Sequence, residues 1–241
     1  MKISEIFYSI QGEGKRSGVP SFFVRTNNCN LRCMFASTNL CDTSYTSWNP
    51  EDNKNIGDMS VGDIIIEYKK YNVKDVVITG GEPTLQGEEL TLLCKELKLL
   101  GAYITIETNG TIFGDFINYT DLLSISPKLN SSTPFDTKFE KIHSESRINL
   151  DVLMKFNEMN VEGKYDIQWK FVYCKDKDIK EIEELKQSVG IPDNKIYLMP
   201  EGINEEDMKE RRLETVDMCK KHGYNFTDRL HIIIWGNKRG M

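Results

Sequence analysis

The chain has 241 residues, 39% of them hydrophobic and 28% charged, with a formal net charge of −6, enough apolar material for one substantial core. An acidic balance without long blocks of like charge argues against a nucleic-acid binder, which needs a basic face. No apolar run reaches the roughly 20 residues of a membrane span and residues 1–5 lack the apolar stretch of a signal peptide, so a cytoplasmic protein with neither membrane nor nucleic acid as partner is expected.

In chain order, residues 9–15 are glycine-rich and resemble a phosphate loop only superficially. Ser9 stands where the first P-loop glycine belongs, and Arg16 follows Lys15 where Ser or Thr belongs. This segment reads as a flexible loop presenting Gln11 and Glu13, groups able to pair with the amide-like edge of a heterocycle. A strand is expected over 21–26, then a polar cysteine-bearing loop, then a long irregular loop over 44–59. A helix over 60–71, a strand over 75–79, a helix over 87–100 and strands over 103–107 and 122–126 follow. Residues 127–146 read as a second long loop. After it come a helix over 148–157, a strand over 167–173, a helix over 177–189, a strand over 195–199, a helix over 205–222 and a strand over 231–235. In the helix over 205–222, Met208, Leu213, Val216 and Cys219 recur at near-helical spacing and Gly223 stands at the expected stop. Alternating strands and helices imply an α/β fold with a parallel sheet, either open or curled toward a barrel.

Six cysteines occur, at 29, 33, 41, 94, 174 and 219. Cys94 and Cys219 lie on apolar helix faces and suit burial as small hydrophobes; Cys174 ends a strand. Cys29, Cys33 and Cys41 instead crowd one polar loop with Asn27, Asn28, Asn30 and Arg32. Thiolates suit iron–sulfur clusters, zinc or Cu(I). A closed zinc site needs four ligands, and neither a fourth cysteine nor any of His143, His222 and His231 is adjacent in sequence. Three ligands leave a metal position open, as a reactive centre requires.

The strand over 75–79 runs into Gly80-Gly81-Glu82-Pro83. Two glycines let backbone approach a ligand, Glu82 offers a carboxylate to an ammonium group, and Pro83 stiffens the exit. Glu107 to Gly110 and Ser126 to Lys128 end two further strands. Several polar strand ends in one α/β chain point to a shared site at the carboxyl edge of the sheet.

The three cysteines followed by Gly80-Gly81-Glu82-Pro83 resemble the radical S-adenosylmethionine (SAM) superfamily. The opening from Glu5 to Gly14, Arg25, the Cys41-Asp42-Thr43 triplet, Glu107 to Gly110, Ser126 to Lys128 and the ending Leu230-His231 with Trp235 to Gly240 are similar in particular to the 7-carboxy-7-deazaguanine synthase family. The resemblance runs from residue 5 to the C-terminus. It implies one radical SAM domain over 1–241, an incomplete (β/α) barrel of radical SAM type, and a homodimer. It implies a [4Fe-4S] cluster, SAM and Mg²⁺, and an external electron donor of flavodoxin-like or ferredoxin-like kind. The reaction implied converts the small-molecule pterin 6-carboxy-5,6,7,8-tetrahydropterin to 7-carboxy-7-deazaguanine with loss of ammonia, in queuosine and 7-deazaguanine biosynthesis.

Carried onto this chain, the resemblance assigns Cys29, Cys33 and Cys41 to the cluster. It assigns Leu40, Asp42, Gly81, Ser126, Pro127 and Lys128 to SAM. Ile10, Gln11, Gly12, Arg25 and Thr79 go to the substrate, Arg25 meeting its carboxylate as a two-pronged donor, and Thr43 offers oxygen to Mg²⁺. The common superfamily spacing is Cys-x3-Cys-x2-Cys; here residues 34–40 separate the second and third cysteines, an insertion this family tolerates. Those residues must bulge away from the cluster, and small polar residues at 36–39 suit a solvent-facing or helical turn. Two rivals stay open at this stage: a zinc-bound scaffold without catalysis, and an enzyme that installs a glycyl radical on a partner protein.

Overall fold

The computed structural model describes residues 1–35 and 39–241. Strands β1 (Lys2–Ile10) and β2 (Pro20–Thr26) precede helix α1 (Ser44–Ser47), strand β3 (Gly57–Asp58) and helix α2 (Val61–Tyr68). Then β4 (Asp75–Gly80), α3 (Gly87–Leu99), β5 (Tyr103–Thr108), β6 (Leu122–Ile125), α4 (Glu140–Ser146), α5 (Leu150–Val161), β7 (Asp166–Tyr173) and α6 (Asp176–Val189) follow. The chain finishes with β8 (Ile196–Pro200), α7 (Glu205–His222), β9 (Asn225–Phe226) and α8 (Leu230–Trp235). All the strands join one sheet in the order β3-β1-β2-β4-β5-β6-β7-β8-β9. β1 is antiparallel to its two neighbours, and every pairing from β2 to β9 is parallel. The sheet does not close, so the incomplete barrel is borne out. Among the described residues no helix is long and apolar enough to cross a membrane.

Period-two alternation gives the sheet two different faces. In β7, Ile167, Trp169, Phe171 and Tyr173 are buried within the main core cluster, which also takes in Leu90, Leu93, Leu97, Leu153, Phe156, Ile182 and Leu185 from the helices. The alternate residues Gln168 and Lys170 are also buried but polar. Register carries this second face around the barrel: Arg25 pairs with Thr79, Glu107 with Ser124, and Ser124 with Gln168. Two hydrogen bonds join the row, Thr79 Oγ1 donating to Glu107 Oε2 at 2.8 Å and Gln168 Nε2 to Ser124 Oγ at 2.8 Å. A polar layer thus lines the concave side while the convex side packs on helices.

The segment after β1 closes the opposite end. Lys15 N donates to Gln168 Oε1 at 2.8 Å, Lys15 pairs with Asp166 at the start of β7, and Arg16 with Asp75 at the start of β4. Residues 9–15 are therefore not the flexible loop expected. Ile10 ends β1, a strand the sequence reading lacked, and Gln11 N and Val19 O hold the turn at 2.8 Å. The irregular stretches expected over 44–59 and 127–146 contain α1, β3 and α4.

Two further expectations fail. Residues 231–235 form helix α8 rather than a strand. β9 already occupies the edge beside β8, and Leu230 N donates to Gly12 O at 2.9 Å while Ile233 N bonds Arg229 O at 3.2 Å, starting a helical turn. Tertiary anchoring overrides the β-preference of three consecutive isoleucines. In α7, Leu213 faces solvent and Thr215 is buried in its place with Met208 and Cys219.

A strand would put Ile232 and Ile234 on one face; the helix separates them, Ile232 at 2% exposure and Ile234 at 48%. Ile232→Ala should cost about 2–4 kcal/mol and Ile234→Ala under about 0.5 kcal/mol in chemical denaturation. Equal costs would contradict the helix.

Candidate active site

The carboxyl ends of the parallel strands converge on one cleft enclosing about 1350 Å³ of empty space, counting its open mouth. Cys29, Cys33 and Cys41 all line it. Their loop leaves β2 and is tied down on every side. Gly81 N donates to Thr26 O at 3.1 Å and Glu82 N to Asn28 O at 2.8 Å. Asn109 Nδ2 reaches Asn30 Oδ1 at 2.8 Å, Trp48 Nε1 reaches Cys33 O at 3.0 Å, and Asn39 Nδ2 reaches Glu201 Oε1 at 3.0 Å.

These contacts explain the two glycines. A Cβ on Gly81 would fall on the Asn28 carbonyl; one on Gly80, at φ +140°, would fall on the Thr26 backbone. The glycines serve the cysteine loop's own approach before any ligand. Glu82, 1% exposed, differs from expectation in the same way. Its carboxylate accepts from Thr84 N and Oγ1, from Thr108 Oγ1 at 2.7 Å and from Asn109 N at 2.7 Å, bracketing the ends of β4 and β5.

Burial pushes the Cys29 thiol up to about 12, with Glu82 adding to the shift. Burial likewise raises Cys33 well above the ordinary thiol range, and raises Cys41 with help from Asp42. None of the three forms a disulfide. Cys33 is buried and Cys29 and Cys41 are half-buried; thiols this desolvated, which repel one another's negative charge, need a metal centre to become thiolates. They fit a three-thiolate cluster, and Lys128 supplies the cation that favours ionisation at each.

Between the second and third cysteines, Met34 and Leu40 form an antiparallel bridge, Phe35 N donates to Asn39 O at 2.8 Å and Cys41 N to Cys33 O at 3.1 Å. The flanks of the insertion thus pair, which brings Cys41 back beside Cys33. The turn expected over 36–39 falls mostly on 36–38, outside the described residues.

Of the remaining candidates, Leu40, Asp42, Thr43, Gly81, Ser126, Lys128, Ile10, Gln11, Gly12, Arg25 and Thr79 line the cleft. Pro127 is buried and off its wall, between Ser126 and Lys128, whose Nζ donates to Ser126 Oγ at 2.8 Å. Thr43 Oγ1 lies 3.4 Å from Cys41 Sγ. Gln11 spans two glutamates: Nε2 donates to Glu107 Oε1 at 3.1 Å and Oε1 accepts from Glu13 N at 3.1 Å. Arg25 gives Nε to Glu5 Oε2 at 2.9 Å; burial works against its charge, but Tyr45 and Glu5 raise its pKa overall.

The sequence reading missed Lys170 and Arg229. Lys170 was legible as a polar residue on the inward side of an apolar strand. Arg229 carried no local signal, yet its guanidinium joins Glu13 at 3.2 Å, Asp42 and the Gly202 carbonyl. Burial would raise Asp42, but Arg229, His231 and Arg25 together outweigh it and hold the carboxyl low. Glu13, Asp42 and His231 lie close enough to share a cation; Arg229 already supplies the positive charge there.

Gly81→Ala should displace the cysteine loop, lowering stability by about 2–4 kcal/mol and iron uptake on reconstitution severalfold. Gly87→Ala, with open space at its Cβ, should keep iron uptake and change stability by less than about 1 kcal/mol. Normal iron uptake in Gly81→Ala would refute the packing account.

A model of the radical SAM superfamily matches residues 23–159. A 7-carboxy-7-deazaguanine synthase of Halobacterium salinarum is 41% identical over an alignment covering 98% of this chain and 91% of its own. One of Rhodopirellula baltica is 38% identical, with 99% and 88% covered. The crystal structure of QueE from Escherichia coli superposes with TM-score 0.68 at 22% identity, covering 95% and 93% of the two chains, and shares the fold. With three clustered cysteines at the mouth of an open α/β barrel and relatives matching almost end to end, the chain belongs to the 7-carboxy-7-deazaguanine synthase family of the radical SAM superfamily.

Proposed function

We propose that this chain, acting as one catalytic domain, converts 6-carboxy-5,6,7,8-tetrahydropterin to 7-carboxy-7-deazaguanine and ammonia by radical chemistry begun from SAM. The observation that carries the reading is one cleft in which a three-thiol loop faces a ring of heterocycle-matching polar groups: Gln11, Arg25, Thr79 and Glu107. The glycyl-radical rival gives those groups no task, and the zinc rival lacks a fourth thiol.

Cys29, Cys33 and Cys41 would hold a [4Fe-4S] cluster, which when bound supplies the electron for reductive cleavage of SAM. Gly81, Leu40, Asp42, Ser126 and Lys128 would receive SAM, Lys128 meeting its carboxylate and Pro127 fixing the bend that presents Ser126 and Lys128. Ile10, Gly12 and Thr79 would shape the substrate pocket. Glu13 and Glu107 offer carboxylate oxygens to the N–H edge of the pterin, with Gln11 locked between them. Arg25 spends only Nε on Glu5, so the rest of its guanidinium suits the substrate carboxylate. Thr43 at the cleft wall would give Mg²⁺ a hydroxyl oxygen, a ligand type that ion prefers.

The reducing electron would come from outside the chain. Cys94 lies in α3, Cys174 just after β7 and Cys219 in α7; a flavodoxin-like or ferredoxin-like donor rests on the family resemblance. A homodimer rests on the family resemblance.

Anaerobically reconstituted protein with SAM, Mg²⁺ and a strong reductant should consume the carboxylated tetrahydropterin and release 7-carboxy-7-deazaguanine. Arg25→Ala should weaken pterin binding by about 2–5 kcal/mol, because truncation strands a buried charge, and leave SAM affinity nearly unchanged. SAM cleavage without pterin consumption would overturn the reading, and equal loss of both affinities would make Arg25 structural.

A further inference from the structure

One buried cation below the pterin pocket has no task in that reading, on which the present inference rests. Lys170 rises from the concave face of β7 with its side chain 6% exposed, pairs with a Glu13 oxygen and lies 4.0 Å from Glu107 Oε1. Both glutamates line the cleft, and Gln11 donates to the Glu107 carboxylate while accepting from the main-chain N of Glu13. A buried ammonium persists only where partners offset its desolvation, and the same contact fixes the partners.

We propose that Lys170 is a positioning residue for substrate recognition, clamping the Glu13 and Glu107 carboxylates as two fixed acceptors for adjacent N–H donors of the heterocycle. A carboxylate accepts without donating, so a locked pair favours an edge made of N–H groups over one bearing a carbonyl. The clamp also keeps Glu13 charged. Burial alone would raise Glu13, yet Lys170, then Arg229 and His231, hold it well below the usual carboxylate range. Every charged group facing Glu13 enters this balance: Lys170 from β7, Arg229 and His231 from the C-terminal segment, and Asp42 from the cysteine loop, with Glu107 of β5 beyond Lys170. Arg229 is shared with Asp42. Without Lys170, Glu13 keeps only Arg229 and His231 against its burial and the nearby Asp42, and retains a proton to higher pH.

The sign follows. A raised carboxyl pKa leaves the acceptor ionised above it and protonated below it, so pterin binding falls as pH drops through the raised value. Full-length, reconstituted Lys170→Met should raise the Kd and KM for the carboxylated tetrahydropterin about 10-fold to 100-fold, change kcat less, and acquire an acid limb that the wild type lacks. Lys170→Arg should recover most of the affinity. Glu13→Gln combined with Lys170→Met should lose the acid limb, because the titrating carboxyl is gone; it also serves should Lys170→Met alone fail to fold. Wild-type affinity and a flat pH profile in Lys170→Met would overturn the proposal. So would a variant in which kcat and iron content fall together without rescue by arginine or by the paired substitution. The Kd comparison needs no turnover, so wild-type protein that binds the pterin without converting it would sink the reaction while the Lys170 comparison still decides this claim.

Discussion

The close packing of the cysteine loop on Gly80 and Gly81 is the contact on which the rest of the site depends. Backbone from β2 and β4 meets there without side chains between, held by Gly81 N to Thr26 O and Glu82 N to Asn28 O. Glu82 then bonds the end of β5 through Thr108 and Asn109, and Asn109 returns to Asn30 in the cysteine loop. Three strand ends become one rigid rim. A loop whose three thiols all line one cleft is thus held in place by its neighbours' backbone and side chains.

Electrostatics set the second constraint. The cleft sets half-buried Glu13, Asp42 and Glu107 beside Lys170 and Arg229. Buried pairs contribute little net stability, but stranding one member is costly. The arrangement therefore favours geometry over stability: Glu13 and Asp42 stay ionised, and the carboxylates are fixed where ligand donors arrive. Arg229 links the two halves, touching Glu13 on the pterin side and Asp42 beside the third cysteine.

Much of this was legible in the sequence, and the exceptions share a cause. The parallel strands were visible because their convex faces are apolar at every second residue, and the cysteine loop because three thiols in a polar stretch need a chemical reason. What failed depends on distant partners. β1 is masked by Ser4 and Glu5, which bond other segments: Ser4 Oγ donates to Asn55 Oδ1 at 2.6 Å, and Glu5 accepts from Arg25, Tyr45 and Arg239. The isoleucines at 232–234 read as a strand until Gly12 O and Arg229 O turn them into a helix. Glu82 looked like a ligand to an ammonium group because nothing local reveals that Thr108 and Asn109 claim its oxygens. Arg229 was invisible because its partners lie 216 and 187 positions away.

The central claim is that Cys29, Cys33 and Cys41 hold a cluster with one position left for SAM. Electron paramagnetic resonance of the anaerobically reconstituted, reduced protein tests it most directly. The account predicts the signal of a reduced [4Fe-4S] cluster whose g-values shift when SAM is added. Protein that takes up zinc in place of iron and sulfide, or an iron–sulfur signal unmoved by saturating SAM, would contradict it.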